Sequence, residues 1–491
     1  MKDRKSLLKI VFLSCLVIIT VYLVWPAISI AMTSKDREIL VGVATTGITP
    51  ESPVALSGQL TTRISRSVES PITATAIAME SRNNGKPNDQ AIIVSCDLLE
   101  ITEEMIEKLR QNLKDRLPDF DVKKLFLNAT HTHTAPVLRE GWYDIPANII
   151  QPAEYERFLT EHLSDLVVRA WEARRPGAVG WGLGHAVVAQ NRRAVYADGH
   201  AEMYGRADVP NFRSLEGYED HDVDVLFFWN RDKKLIAVAI NIACPAQEVE
   251  VSSKIDADFW HEVKAILQQR YSKDLCMLGW IGAAGDQSPH LMYRKKAEER
   301  MRQLRGLTRS QEIARRICQA VDEAYDAAQK DIRINVPMVH KVEQIKLPVR
   351  EVTDEEFANA RAMVKSLSKN PRNRRMTVLH EDVIARYQRQ KSNPNYEMEL
   401  HVIRLGDVVI CTNSFELFTD FGIQIKARSR ALQTFVIQLT GHGGYYVPTA
   451  KAVRGGGYSA VVENNIVGPG GGQILVDKTV ERINSLWDKS R

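Results

Sequence analysis

Lys124-Leu125-Phe126-Leu127-Asn128 runs directly into Ala129-Thr130-His131-Thr132-His133-Thr134-Ala135-Pro136. The apolar run reads as a strand, so the Thr-His-Thr-His segment lies at a strand's C-terminal edge, where ligands gather in layered α/β folds. In an extended segment residues i and i+2 share a face, so His131 and His133 can address one site. Neutral imidazole is a common zinc ligand. A pair of polar loop histidines among threonines is the other reading of so short a motif.

The same alternation extends in both directions. Strand patterns at 91–95, 223–229, 235–242, 275–281, 398–404 and 408–411 interleave with helical patterns at 101–117, 153–174, 258–271, 295–330, 417–430 and 473–488. The first of these helices carries Glu103 and Glu104 in its first turn, which suits the helix dipole. The expected fold class is α/β, with layered mixed β-sheets flanked by helices. The run from Ser366 to Arg375, rich in Ser, Lys, Asn, Pro and Arg, reads as a surface loop or linker, with strands resuming after it.

Composition narrows the class. The 491 residues are 44 % hydrophobic and 26 % charged, which excludes a disordered chain, a collagen-like repeat and a polytopic membrane protein. Lys+Arg 65 against Asp+Glu 61 leaves a net charge of +4 with no long basic cluster, so nucleic acid is not an expected partner. The chain opens with Lys2, Arg4, Lys5 and Lys9 before an uncharged apolar run from Ile10 to Met32. A basic flank before such a run is read by the secretion machinery. Residues 1–32 are either a signal peptide, cut after Ser29-Ile30-Ala31, or an uncleaved membrane anchor, which needs about 20 apolar residues. Either reading exports the rest of the chain, as an anchored or a secreted or periplasmic protein. Of six cysteines, Cys15 lies in the apolar run, and the other five form no CxxC pair and are too sparse for a disulfide scaffold.

Further constellations follow strands. Ile242-Ala243-Cys244-Pro245-Ala246-Gln247 offers a thiol that is either a zinc ligand or a buried inert cysteine. Gly282-Ala283-Ala284-Gly285-Asp286-Gln287-Ser288-Pro289 fits neither a phosphate loop nor a GxSxG elbow; it is a sharp turn near a ligand or an ordinary glycine-rich turn. In Cys411-Thr412-Asn413-Ser414-Phe415-Glu416, the carboxylate of Glu416 binds a metal or caps the next helix. Gly441-His442-Gly443-Gly444-Tyr445-Tyr446, with Tyr458 beyond, displays tyrosines on glycine-rich loops. Gln190-Asn191-Arg192-Arg193 supplies an arginine for a polarised oxygen or a solvated charge run.

Each signal is weak alone, but their order and spacing resemble the catalytic domain of the neutral/alkaline (non-lysosomal) ceramidase family. The resemblance starts at Val41-Gly42-Val43-Ala44 and Ile48-Thr49-Pro50, and continues through Thr62-Arg63-Ile64-Ser65-Arg66-Ser67 and Val94-Ser95-Cys96-Asp97. It takes in the Thr-His-Thr-His segment, Asn191-Arg192, Gly285-Asp286-Gln287-Ser288-Pro289, Ser414-Phe415-Glu416 and Tyr446-Val447-Pro448-Thr449, with Tyr458 further on. It implies a zinc site with His131, Glu416 and Tyr446 as ligands. Where the family has a further histidine in a His-Pro pair, this chain has Cys244-Pro245, and a thiolate there can still bind zinc. Ser288 matches the serine taken as nucleophile in some accounts, and His133, Arg192 and Tyr458 match residues that contact the reacting group. Residues 33–491 are then expected to be a ceramidase-like catalytic domain without the immunoglobulin-like C-terminal domain of larger members. The implied activity is zinc-dependent hydrolysis of a small-molecule or lipid amide, ceramide-like in the first instance. A non-lipid amide or ester substrate, or a non-catalytic envelope protein with a degenerate site, are the alternatives.

Overall fold

Three pairs of parallel strands within the two main sheets organise the molecule. The structure, a computed structural model, describes residues 37–441 and 445–488, so the signal peptide or anchor expected at residues 1–32 lies outside the described residues. The larger sheet has eight strands: β1 (Arg37–Gly47), β2 (Thr73–Asn83), β3 (Lys86–Cys96), β4 (Leu125–Ala129), β5 (Arg175–His185), β6 (Asp222–Asn230), β7 (Leu235–Ile242) and β8 (Cys276–Ile281). Their order is β8-β7-β6-β5-β1-β2-β3-β4, with β3/β4 and β7/β8 parallel and every other pair antiparallel. The smaller sheet, β9 (Met338–Pro348), β10 (Asn395–Leu405), β11 (Val408–Thr412) and β12 (Gln433–Ile437), ends in the parallel pair β11/β12.

A parallel pair needs a crossover between its strands. Each pair has a helix in that place: α1 (Glu103–Lys114) between β3 and β4, α3 (Phe259–Arg270) between β7 and β8, and α7 (Thr419–Arg428) between β11 and β12. Along with these run α2 (Pro152–Glu172), α4 (Arg309–Ala328), α5 (Asp354–Leu367), α6 (Arg374–Arg389) and α8 (Pro469–Ser485). Local sequence starts these helices. Thr102 accepts from Met105 N ahead of α1, and Thr308 with Gln311 forms a capping box for α4.

The layers stack helix, sheet, sheet, helix. The two sheets meet over Ile77, Ile93, Phe126, Leu226 and Trp280 on one side and Ile403, Ile410 and Phe435 on the other. Helices α1 and α2 cover half of the outer face of the larger sheet, and α3 and α4 cover the rest. Helices α7 and α8 cover the smaller sheet. Helix α4 sits close on β5: a Cβ on Gly184 would lie 2.2 Å from the Ala320 carbonyl oxygen, so only glycine fits there. The larger sheet also curls. Ser95 Oγ of β3 and Asn128 Nδ2 of β4 both donate to the Gly279 carbonyl of β8, at 2.7 and 2.9 Å, drawing its two edges together.

The expected layered α/β class is the one observed. Two local expectations change. The stretch 295–330 is two helices, Lys295–Arg305 and α4, separated at Gly306, whose φ of 65° ends the first. The run from Ser366 to Arg375 is no linker: it is the tight connection of a helical hairpin, with Phe357 of α5 stacked on Tyr387 of α6 at 4.2 Å. Among the described residues no helix is long and apolar enough to cross a membrane. Cys96, Cys244, Cys276, Cys318 and Cys411 form no disulfide, and all but Cys276 are buried.

Candidate active site

The C-terminal ends of all three parallel pairs converge, and backbone bonds lace the segments leaving them. Thr130 N donates to Cys96 O, Ala246 N to Thr130 O, Gly285 N to Leu417 O, Gln438 N to Ile281 O and Glu416 N to Tyr445 O, at 2.8–3.2 Å. A cavity of about 320 Å3 opens at this junction. A wider cleft of about 860 Å3 lies at the opposite end of the larger sheet, around Arg37, Gly85 and Asn230, and holds none of the residues discussed here.

His131, Arg192, Glu416 and Tyr446 form the base of the cavity. His131 adopts φ 63°, the left-handed region that a histidine enters only under constraint. Its Nδ1 lies 2.8 Å from the Leu99 carbonyl, so that nitrogen carries the proton of the neutral ring. The Nε2 lone pair then faces Glu416 Oε2 at 3.4 Å. Glu416 and Tyr446 are side by side because Glu416–Leu417 and Tyr446–Val447 pair as short parallel strands. Burial, with Glu416 next to it, drives the Tyr446 phenol well above its ordinary pKa.

Arg192 is anchored by the glycine-rich turn after β8. Gln190–Asn191 pairs with Gln287–Ser288, Arg192 N donates to Asp286 O at 2.8 Å, and one guanidinium nitrogen donates to Gly285 O at 2.9 Å and Tyr446 Oη at 3.1 Å. Gly285 is obligatory, because a Cβ would lie 2.3 Å from the Glu416 carbonyl oxygen. Asp286 is scaffolding, accepting from Asn191 Nδ2 at 2.7 Å and from Thr419 Oγ1 at 2.8 Å.

His133 forms the adjoining wall. Gln247 Oε1 accepts from Arg192 at 3.2 Å, which turns Gln247 Nε2 toward His133 Nε2 at 2.7 Å. His133 Nδ1 lies 3.3 Å from Glu250 Oε2, and His290 Nε2 lies 3.0 Å from the other oxygen of Glu250. Burial, then the positive charges of His131, Arg63, Arg192 and His290, lower the His133 pKa well below its ordinary value. Leu60, Val137, Trp142, Leu379 and Tyr458 supply apolar and aromatic wall.

No protein-family model and no curated protein matches the sequence. Solved structures do match. Neutral ceramidase from Pseudomonas aeruginosa superposes with a TM-score of 0.66 at 17 % identity, over 92 % of this chain and 75 % of that one. A ceramidase complexed with C2 gives 0.65 at 15 % identity with the same coverage. The fold is that of neutral ceramidase. The motif resemblance found in the sequence therefore holds for the fold.

Within this neutral ceramidase fold, His131, His133, Arg192, Glu416, Tyr446 and Tyr458 all line one cavity. Cys244 does not join them. Its Sγ sits in the core under α3 and α4, 3.7 Å from Val188 O and 3.8 Å from Pro245 O. Burial there pushes the thiol pKa well up. Ser288 also lies off the cavity surface. It is fully buried behind Tyr204, whose hydroxyl is 3.1 Å from Ser288 Oγ, and it accepts from His290 N at 3.1 Å. No histidine ring is in hydrogen-bond contact with it among the described residues, so it lacks the base a nucleophilic serine requires.

Among the described residues no three His, Cys, Asp or Glu side chains group as a metal site. The base of the cavity has two such residues, and Tyr446 completes the set. With the ring neutral, the His131 Nε2 lone pair and the Glu416 carboxylate are two acceptors facing each other, a pair that either a proton on Nε2 or a metal cation between them satisfies. The backbone carbonyl on His131 Nδ1 is the usual outer partner of a metal-bound imidazole. The residues present thus fit a divalent ion with three protein donors.

Sequence reading assigned no role to Tyr204, Gln247, Glu250, Trp142 or Arg375. Gln247 had a signal, since it closes the Cys-Pro motif. Arg375 had none, because the helical hairpin carrying it reads as a loop.

Proposed function

We propose that the chain hydrolyses the amide bond of an N-acyl compound after export, with residues 1–32 as signal or anchor. The observation that carries this reading is the meeting of His131, Glu416, Tyr446 and Arg192 at the base of a cavity with aliphatic and aromatic walls. In the reaction, water oxygen bonds to the acyl carbon, the C–N bond breaks, and the amine leaves with a proton. His131, Glu416 and Tyr446 would hold a divalent ion such as zinc, which supplies Lewis acidity toward an acyl carbonyl and makes water more acidic.

The chain's own residues supply the rest. Arg192 and the Tyr458 hydroxyl offer donors to the negative charge that develops on the carbonyl oxygen. His133 is neutral; its Nε2 lone pair accepts from Gln247 at rest, and it takes the proton from water at Nε2 once that bond gives way. Glu250, 3.3 Å from its Nδ1, stabilises the imidazolium until the proton passes to the departing nitrogen. Gln247, held by Arg192, keeps the His133 ring in one orientation.

The test is metal content and hydrolysis on the full-length protein. Stoichiometric zinc is expected, together with fatty-acid release from N-acyl amides that stops on chelation. Failure to cleave any amide or ester at any metal content overturns the proposal.

A further inference from the structure

Charged groups around the cavity are paired, with one exception. Arg139 meets Glu100 at 2.9 Å, Glu250 meets His290 at 3.0 Å, and Arg192 is shared among Gln247, Gly285 O and Tyr446. Arg375 lines the same cavity with its guanidinium carbon 3.8 Å from the centroid of the Trp142 ring. Its Nη1 is buried without a hydrogen-bond partner, and among the described residues no acidic side chain pairs with it. The side chain is half-buried, and a donor nitrogen shut off from water without an acceptor is destabilising unless something else completes it.

The helix that carries Arg375 adds an independent observation. The first turn of α6 begins Arg374-Arg375 with no acidic residue, and Asn373 makes no side-chain cap bond. The positive end of a helix dipole disfavours such cations and favours an anion. The neighbouring α5 follows the usual rule, with Asp354, Glu355 and Glu356 in its first turn and a complete capping box. Helix α6, which lines the cavity with Arg375 and Leu379, does not. Arg375 lines the same cavity as Tyr458, Glu416 and Arg192, so it and the base of the cavity face one enclosed space.

We infer that Arg375, stacked on Trp142, binds an anionic group of the substrate. The substrate class is then an N-acylated amine that bears a carboxylate or a phosphate, in place of an uncharged ceramide-like amide. The word substrate rests on the amide-hydrolase proposal above; the anion site does not.

Calorimetric titration of the full-length protein with N-hexanoylglycine, N-hexanoylphosphoethanolamine and uncharged N-hexanoylethanolamine tests this without requiring turnover. At least one anionic amide is expected to bind about 10- to 100-fold tighter than the uncharged one, the range of a charge-assisted contact. The glycine and phosphoethanolamine compounds separate carboxylate from phosphate. In Arg375→Gln the preference collapses toward unity, and in Arg375→Lys, which keeps the charge, part of it remains. Equal binding of charged and uncharged amides, no binding of any of the three, or a preference that survives in Arg375→Gln overturns the inference. An intact preference in a protein that cleaves no amide overturns the hydrolase proposal alone.

Discussion

Two segments leave parallel strands of the same sheet, and only one delivers its candidate ligand to the cavity. Along β7, Val238, Ile240 and Ile242 face the layer of α3 and α4, and Cys244 continues that even-numbered series into the same core. The alternation of the strand simply runs on. Along β4, Leu125, Leu127 and Ala129 face the layer of α1 and α2, and the same rule would send His131 after them. The φ of 63° at His131 breaks the series and turns the ring toward Glu416. Of these two residues, the candidate ligand is the one whose backbone leaves strand geometry.

The largest effects should come from disrupting the first segment. His131→Ala and Glu416→Gln are each expected to abolish zinc binding and lower kcat/KM by at least about 1000-fold, since several kcal/mol of charge stabilisation go with the ion. Plasma emission spectroscopy and fatty-acid release measure both. Gln247→Ala acts one step out, freeing the His133 ring, and should lower kcat about 10- to 100-fold with zinc content unchanged.

Changes at Cys244 should be felt in stability. Cys244→Ala is expected to lower unfolding free energy by about 1 kcal/mol, and Cys244→His, which overfills the core, by about 1–3 kcal/mol. Zinc content should match the parent in both. Loss of zinc in the alanine variant with retention in the histidine variant would make Cys244 a ligand and erase the contrast.

The smallest effect separates two residues of the first segment in metal-free protein. Burial lowers the His133 pKa, so its contribution to stability is full above about 6.5 and is lost as pH falls through the lowered value. Burial opposes charge on His131 too, but Glu416 outweighs it and raises the pKa, so that contribution is full below about 6.5 and is lost as pH rises through the raised value. Denaturant titrations should therefore show stability falling toward acid in His131→Asn and falling toward alkali in His133→Asn. Each slope reaches up to about 1.4 kcal/mol per pH unit.

Much of this architecture was legible in the sequence. The reading of 235–242 matches β7, and the segments after β4, β8 and β11 were picked out because polar motifs follow apolar runs. What escaped depends on direction, which composition does not carry. Cys244 and Ser288 lie in the expected segments but point into the core and behind Tyr204. Gln247 and Glu250 reach the wall because a loop folds back on Thr130. Arg375 arrives on a hairpin whose turn, Ser368-Lys369-Asn370-Pro371, has the composition of a disordered linker.

The bond from Ser95 and Asn128 to Gly279 joins strands distant along the chain, and the partners of the cavity come from farther still. Such non-local closure raises contact order and slows folding. During synthesis a ribosome would release every helix of the first half long before Glu416 emerges. An ion held as proposed would therefore not template early assembly. It would only lock a molecule already closed, so apo and loaded forms should fold at similar rates and differ in how slowly they come apart.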